Sequence, residues 1–101
     1  MAPVEDAGRV VTMIRRRIFF TGRVQGVGFR YTTTRLARGF EVAGYVRNLP
    51  DGRVEAVIEG EAAEVERFQR AIRDEMSHCI ADVTHQDTAA TGGFRGFEVR
   101  F

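Results

Sequence analysis

A glycine-rich segment constrains the fold of this chain more than any other feature. Residues 22–28 contain three glycines in seven positions, a density that indicates a turn or a loop. The residues before it, 17–21, are aromatic and β-branched and predict a strand, whereas residues 29–38 place apolar side chains at roughly helical spacing. The chain therefore passes from a strand through a tight loop directly into the N-terminus of a helix.

This arrangement points several backbone N–H groups at one spot, where the helix dipole adds partial positive charge. The spot suits a phosphate or a carboxylate, and Arg30 in the first helical turn lies close enough to bind the same anion. On spacing alone, the glycines are equally consistent with a plain tight turn, and Arg30 with a solvated surface residue. The loop lacks the Gly-Lys-Ser/Thr ending of a P-loop and the G-x-G-x-x-G pattern of a dinucleotide site, which excludes both kinds of nucleotide site.

Hydrophobic patterning divides the rest of the chain into alternating strands and helices. The predicted elements are a strand over 17–21, a helix over 29–38, strands over 42–47 and 53–59, a helix over 61–76, and strands over 80–87 and 95–101. Pro50, Asp51 and Gly52 predict the turn between the second and third strands. Asn48 precedes this turn and, taken by itself, is typical of a turn-capping residue. The strand over 53–59 alternates in a way that predicts one buried and one solvent-facing side.

This order of elements predicts an α+β fold, the ferredoxin-like βαββαβ sandwich. Two helices would pack on one face of an antiparallel four-stranded sheet, and a fifth short strand segment is possible. Residues 1–14 show no sustained period and contain Pro3 and Gly8, so we expect a loose N-terminal arm before a single domain over 15–101. Met13 offers a second start for translation.

Composition excludes several classes of function. All 15 basic residues are arginines, which excludes a lysine nucleophile, and with 14 acidic residues they leave a net charge of +1. That balance favours neither nucleic acid nor an anionic membrane as a partner. Cys79 is the single cysteine, and His78 and His85 lack a third ligand nearby, so we expect no disulfide and no metal site. With no apolar span and no secretion signal in the sequence, we expect a cytoplasmic domain with a free thiol.

Two segments resemble the signatures of the acylphosphatase family. Residues 22–30, Gly-Arg-Val-Gln-Gly-Val-Gly-Phe-Arg, are similar to its phosphate-binding motif G-x-V-Q-G-V-x-x-R. Residues 44–55, Gly-Tyr-Val-Arg-Asn-Leu-Pro-Asp-Gly-Arg-Val-Glu, are similar to its second signature, an aromatic after Gly, then Arg-Asn, three residues, Gly, one residue and Val. Residues 96–101 look like its closing strand. The resemblance extends over residues 16–101 and leaves only the N-terminal arm outside it.

The resemblance implies hydrolysis of an acyl phosphate to a carboxylate and inorganic phosphate, without a metal, a cofactor or a covalent intermediate. Arg30 would neutralise the phosphate, and Asn48 would hold the attacking water. The backbone N–H groups expected to bind the phosphate oxygens are those of Arg23, Val24, Gln25, Gly26, Val27 and Gly28. The expected partners are an acyl phosphate and inorganic phosphate, with no nucleic acid and no membrane, and the chain would act as a monomer. Leu49 stands where some relatives carry Thr, so a second hydroxyl contact is not available.

Three other interpretations compete with this one. A non-catalytic anion-binding or regulatory module would use the same loop and Arg30. A detached piece of a larger carbamoyl-phosphate-handling protein would carry a similar domain, although a chain that ends on its last strand argues against this. Residues 95–101 partly match the RNA-binding motif of an RRM domain, but in that fold the motif occupies the third strand. RNA binding through this strand is therefore not expected.

Overall fold

The fold is a five-stranded mixed sheet with two helices packed on it, in a computed structural model that describes residues 4–6 and 9–101. In chain order the elements are β1 (Val4–Asp6), β2 (Arg9–Val11), β3 (Met13–Gly22), α1 (Phe29–Ala37), β4 (Val42–Asn48), β5 (Val54–Glu61), α2 (Ala62–Glu75), β6 (Ile80–Ala89) and β7 (Phe97–Arg100). Strands β1 and β2 pair antiparallel as a separate two-stranded sheet within the predicted N-terminal arm. The division into an arm and a domain stays a prediction.

The five strands lie in the order β6-β3-β5-β4-β7. All neighbouring pairs are antiparallel except β4 and β7, which run parallel with Gly44 opposite Phe97 and Arg47 opposite Arg100. The α+β, ferredoxin-like prediction is confirmed, with the fifth strand that it allowed. Because β7 lies beside β4, the last residues of the chain come to the edge of the sheet next to the end of β4.

Large apolar side chains fix the helices on the sheet. Phe68 of α2 is fully buried and packs edge-on against Phe97 of β7, with 5.4 Å between ring centroids. Phe29, the first residue of α1, is 1% exposed and lies 4.9 Å from the ring of Phe20 in β3. Burial of a phenylalanine side chain stabilises a fold by about 2–3 kcal/mol. Phe29 therefore anchors the N-terminus of α1 at the end of the glycine loop.

Strand β5 is buried on both sides, so the prediction of a solvent-facing side was wrong. Glu55 and Glu59, which were expected to face water, are 4% and 6% exposed. Strand β5 is the central strand, and arginines from the neighbouring strands cover both carboxylates. Arg47 and Arg17 lie 2.7 and 3.4 Å from Glu55, and Arg15 lies 2.8 Å from Glu59. These ion pairs satisfy the buried charges, which would otherwise be costly.

Strand β3 begins at Met13, four residues before the predicted start at residue 17, and passes through three successive arginines. Arg16 lies on the helix side of the sheet and is 7% exposed. Its guanidinium donates to both carboxylate oxygens of Asp87, at 2.8 and 3.0 Å, and to Glu66 at 2.5 Å and Gln69 at 2.8 Å. Hydrogen bonding to Asp87, offset in part by burial, raises the pKa of Arg16 above its usual range. Arg16 thereby joins β3, β6 and α2.

Glu59 holds the loop that follows β6. Its carboxylate accepts hydrogen bonds from the N–H of Thr91 at 2.8 Å, the hydroxyl of Thr91 at 2.9 Å and the N–H of Gly92 at 2.9 Å, besides that from Arg15. Burial by itself would raise the pKa of Glu59. Hydrogen bonds to the carboxylate together outweigh this effect of burial and lower the pKa of Glu59 to about 2. They come from the N–H of Thr91, the guanidinium of Arg15 and the N–H of Gly92.

Replacement of Glu59 by glutamine should remove part of the acid sensitivity of folding. A carboxyl group whose pKa falls from 4.5 to about 2 on folding contributes about 3 kcal/mol of stability above its unfolded pKa, and this contribution is lost as the pH falls towards 2. The free energy of unfolding in urea, measured at steps of pH through this window, should therefore fall more steeply for the wild type than for E59Q. Parallel curves for the two proteins would contradict this assignment.

Candidate active site

The glycine loop opens onto the N-terminus of α1. Gly26 and Gly28 adopt φ values of 76° and 78°, a left-handed conformation that favours glycine, and Gly28 is the N-cap of α1. No side chain caps this helix, and its first turn contains no acidic residue. A Cβ atom added at Gly26 or Gly28 would meet nothing within 4 Å, so the space beside the loop is open. The helix N-terminus thus presents its unpaired N–H groups to an accessible position.

The backbone N–H groups of the loop are free to bind an anion. Within residues 9–101, no protein group accepts a hydrogen bond from the N–H groups of residues 24–28. Arg23 differs, because its N–H donates to the carbonyl of Cys79 at 2.9 Å. Cys79 is 9% exposed and belongs to the core, where a free cysteine packs as a small hydrophobic residue. The bond to Cys79 fixes the start of the loop, whereas the N–H groups that follow have no acceptor among residues 9–101.

Arg30 and Asn48, the two predicted catalytic residues, line the same pocket, which has a volume of about 200 Å³. The loop contributes Gly26 and Gly28 to this pocket, and Phe101 lines it as well. Asn48 is the last residue of β4 and is half-buried. In the described part of the chain its side-chain amide has no hydrogen-bond partner. The fold therefore brings together a cation, a free amide and the open N–H groups.

Strand β7 orients Arg30. The guanidinium donates a long hydrogen bond of 3.4 Å to the carbonyl of Arg100, the last residue of β7. Its central carbon lies 4.8 Å from the centroid of the Phe101 ring, which is the distance of a cation–π contact. Both contacts leave hydrogen-bonding capacity on the guanidinium, because Arg has five N–H donors.

Gln25 joins the loop to the turn that follows Asn48. Its side-chain amide donates to the carbonyl of Leu49 at 2.7 Å and to the carbonyl of Arg53 at 3.0 Å. The N–H of Leu49 also donates to Arg53, at 2.8 Å, and Asp51 accepts the N–H of Arg53 at 3.1 Å, as expected for a turn closed by an aspartate. The pocket residues of the loop and of β4 are thereby held in one frame.

The other residues of the predicted phosphate loop occupy distinct positions. Val24 is fully buried and lines the pocket, whereas the side chains of Arg23 and Val27 are exposed. Arg47 pairs with Glu55 on the far side of the sheet, as strand alternation predicts. Two of the three loop residues that line the pocket, Gly26 and Gly28, have no side chain and contribute main-chain atoms alone.

Sequence reasoning missed the contribution of the C-terminal strand to the pocket. Val99 and Phe101 line it together with Tyr31 from the first turn of α1. Phe97, Val99 and Phe101 alternate with Glu98 and Arg100 in the sequence, which puts them on one face of a strand, but this alternation does not indicate which strand β7 pairs with. Only the parallel pairing with β4 brings these side chains to Arg30 and Asn48.

For the hydrolysis that the sequence resemblance implies, loss of the Gln25 amide should impair turnover more than phosphate binding. Because Gln25→Ala removes the tie between the loop and the turn after Asn48 but none of the N–H donors, kcat should fall by about 10- to 100-fold. Inhibition by inorganic phosphate should change by less than about threefold. Gln25→Glu should be no better than alanine, because a carboxylate would face two carbonyl oxygens.

The matched control is Gln86→Ala, at an exposed glutamine of β6. Steady-state kinetics of both variants with an acyl phosphate, together with the Ki for phosphate, give the comparison. Equal kcat for Gln25→Ala and Gln86→Ala would show that this amide does not position the site.

Among residues 4–6 and 9–101, no group of three His, Cys, Asp or Glu side chains is placed to hold a metal ion. Neither α1 nor α2 is long and apolar enough to cross a membrane.

Comparison with known proteins connects this geometry to one family. The acylphosphatase family model matches residues 16–99. The acylphosphatase of Rubrobacter xylanophilus is 49% identical over 87 residues, which cover 85% of this chain and 79% of that protein. The acylphosphatase of Trichormus variabilis is 46% identical over 88 residues, covering 87% of each chain. The crystal structure of acylphosphatase from Bacillus subtilis matches with a TM-score of 0.78 at 31% identity, covering 87% of this chain and 99% of that one.

Proposed function

This chain belongs to the acylphosphatase family, and from that premise we propose that it hydrolyses acyl phosphates by direct attack of water on phosphorus. Acylphosphatases are hydrolases that act on acid anhydrides. One observation carries the proposal for this chain, namely that one pocket is lined by Arg30, by Asn48 with its unpaired amide, and by the loop residues Val24, Gly26 and Gly28, whose N–H groups have no acceptor among residues 9–101. The reaction converts the carboxyl–phosphate anhydride to a carboxylate and inorganic phosphate.

In this proposal the loop and Arg30 bind the phosphoryl group. The N–H groups of residues 24–28 and the first turn of α1 donate to its oxygens, and the helix dipole favours its negative charge. Arg30 adds charge-assisted hydrogen bonds to the same oxygens. Donors held in place before the substrate arrives stabilise the transition state without reorganising during the reaction. The N–H of Arg23 is left out of this set, because it is bonded to Cys79.

Asn48 would hold the attacking water in line with the bond that breaks. The water oxygen forms a bond to phosphorus, the bond from phosphorus to the acyl oxygen breaks, and the carboxylate leaves with the electron pair. An amide is too weak a base to take the proton of the water. The proton passes instead to an oxygen of the phosphoryl group, so that the dianionic substrate and water give a carboxylate and dihydrogen phosphate.

The simplicity of this site fits the chemistry of the substrate. A carboxylate is a good leaving group, since a carboxylic acid has a pKa near about 4. The leaving group therefore needs no proton, and placement of water with stabilisation of the phosphoryl charge supplies the acceleration. Leu49 stands where some relatives carry Thr and has no hydroxyl group, so Arg30, Asn48 and the backbone perform these roles.

Hydrolysis of benzoyl phosphate in the presence of EDTA, with inorganic phosphate as competitor, tests the proposal. We expect turnover that is insensitive to the chelator and competitive inhibition by phosphate, because product and substrate share the loop. Binding of phosphate in a calorimeter without any turnover would contradict hydrolysis and favour the anion-binding module. Turnover without competition would contradict the location of the site.

We also propose that one chain is the working unit and that it acts in the cytoplasm, without nucleic acid or membrane partners. All groups of the proposed site come from one chain, and the net charge of +1 favours no polyanionic partner. The family match starts at residue 16, which supports a domain over 15–101 preceded by an arm over 1–14. Sedimentation velocity should give the mass of one chain, and a concentration-dependent kcat/KM would contradict a monomer.

A further inference from the structure

The large hydrophobic side chains that this protein exposes are gathered at the mouth of the candidate active site. In the part of the chain that the structure describes, three such side chains are exposed, Val27 at 46%, Tyr31 at 72% and Phe101 at 102%. Tyr31 and Phe101 line the pocket, and Val27 stands between Gly26 and Gly28, which also line it. Single exposed hydrophobic residues are normally scattered over a protein surface, whereas a cluster beside a pocket marks a binding site.

The pocket offers one positive charge, that of Arg30. No other charged side chain lines it among the described residues. Arg53 and Arg100 are engaged in ion pairs, with Asp51 at 2.8 Å and with Glu98 at 3.1 Å, and the exposed side chain of Arg23 does not line the pocket. When the phosphate of a substrate is bound by Arg30 and the loop, no second positively charged side chain lines the pocket to bind another negative charge of that substrate.

We propose that Val27, Tyr31 and Phe101 form an acyl-binding rim that selects acyl phosphates with an apolar alkyl or aryl group. The proposal rests on the proposed function, because the acyl group reaches the rim only when the phosphoryl group lies on the loop. The acyl group of the bound substrate then extends out of the pocket and covers side chains that are otherwise exposed to water. Acyl groups that end in a second carboxylate are disfavoured, because the rim would remove that charge from water without a cation to compensate it.

Phe101 would contact the acyl group of such a substrate and lies beside the arginine that binds its phosphoryl group. Its ring lies against the guanidinium of Arg30 at 4.8 Å and also lines the pocket. An apolar acyl group that packs on Phe101 covers the guanidinium from solvent, which strengthens the interaction of Arg30 with the phosphoryl group. The rim therefore acts on both the affinity for the acyl group and the environment of the reaction.

The expected selectivity follows from the area that the rim can cover. A fully buried methylene improves binding about fourfold, and a methylene that remains half in water improves it about twofold. Hexanoyl phosphate has four more methylenes than acetyl phosphate, and the same reactive group. We therefore expect kcat/KM to be about 15-fold higher for hexanoyl phosphate than for acetyl phosphate.

The test compares kcat/KM for acetyl, hexanoyl and 5-carboxypentanoyl phosphate. In the last of these a carboxylate replaces the terminal methyl group of hexanoyl phosphate. The wild type should prefer hexanoyl phosphate by about 15-fold over acetyl phosphate, and should hydrolyse the carboxylated substrate no better than acetyl phosphate. In Tyr31→Ser and Tyr31→Ser/Phe101→Ser the preference should shrink stepwise, to about threefold in the double variant. Arg38→Ser, at the exposed C-terminal end of α1, is the matched control and should keep the wild-type preference.

Each outcome of this test decides one question. Equal kcat/KM for acetyl and hexanoyl phosphate would overturn the rim while leaving the proposed hydrolysis intact. A preference for 5-carboxypentanoyl phosphate would overturn it too, and would point to the free side chain of Arg23 as a second cationic site. Absence of all turnover would contradict the proposed hydrolysis. In that event the dissociation constants of methylphosphonate and hexylphosphonate test the rim directly, with tighter binding of the hexyl compound expected and equal binding overturning it.

Discussion

Asn48→Ala is expected to lower kcat for a simple acyl phosphate by about 100- to 1000-fold, the cost of removing one preorganised polar group from an active site. The Ki for inorganic phosphate should change by less than about threefold, because the N–H groups of residues 24–28 and Arg30 are untouched. Asn48 is half-buried at the end of β4 and its amide has no partner among residues 9–101. Its removal therefore leaves no protein group unsatisfied, and the free energy of unfolding should change little.

Asn48→Asp sharpens this experiment. The carboxylate has nearly the shape of the amide, but it carries a negative charge towards the phosphate and cannot donate a hydrogen bond. Both kcat and the affinity for phosphate should therefore fall in this variant, in contrast to alanine. Full activity of Asn48→Ala would show that this amide does not hold the attacking water, and would also remove the main distinction between an enzyme and an anion-binding module.

Arg30→Ala should reduce both binding and turnover. The guanidinium is the one charged group that lines the pocket within the described residues, and arginines that stabilise a transferring phosphoryl group contribute about 1000- to 100,000-fold to its transfer rate. We expect kcat/KM to fall within this range, and the Ki for phosphate to rise by about 10-fold or more. Steady-state kinetics with phosphate as a competitor measure both quantities in one experiment.

Arg30→Lys separates the charge from the geometry of the guanidinium. Lysine keeps the positive charge but loses the planar pair of donors and much of the contact with the Phe101 ring. Phosphate affinity should recover in part, whereas kcat should stay well below that of the wild type. Arg38→Ala at the other end of α1 serves as the control for loss of a charge from this helix. An Arg30→Ala protein that bound phosphate as tightly as the wild type would contradict this assignment.

The elements whose signals are local were predicted from the sequence. The helical spacing of apolar residues located α1 and α2 to within one residue at each end, since their buried faces follow the chain itself. The turn before β5 followed from Asp51 and Gly52, and Asp51 does accept the N–H of Arg53. Short-range chemistry decides such features, and a single sequence therefore contains them.

Features that depend on distant partners were not predicted. Three successive arginines at the start of β3 obscured the strand, because each is matched by carboxylates on other elements, such as Glu59 for Arg15 and Asp87 for Arg16. The same ion pairs explain why the glutamates of β5 are buried. Register between strands decides which charges meet, and a one-residue change in register would place them on opposite faces.

The candidate site likewise contains residues that were predicted from the sequence and contacts that were not. Arg30 and Asn48 were assigned through sequence signatures, and the structure brings both to one pocket. The tie from Gln25 to Leu49, and the place of Phe101 beside Arg30, depend on how loops and strands meet in space. The alternation of β7 was visible in the sequence, but its parallel pairing with β4 was not.

The position of β3 between β5 and β6 also determines how fast this chain can fold. Its residues pair with partners far along the chain, with Met13 opposite Glu61 and Ile14 opposite Ala89. Loop closure must precede the contacts that reward it, and folds dominated by such pairings form in roughly milliseconds to seconds. Stopped-flow far-UV circular dichroism should place refolding in this range, and microsecond refolding would contradict it. During synthesis, Ile18 and Phe20 leave the ribosome before β5 and β6, the two strands that flank β3, so an interior strand of the finished sheet stays without one of its pairing partners until residue 89 has been made.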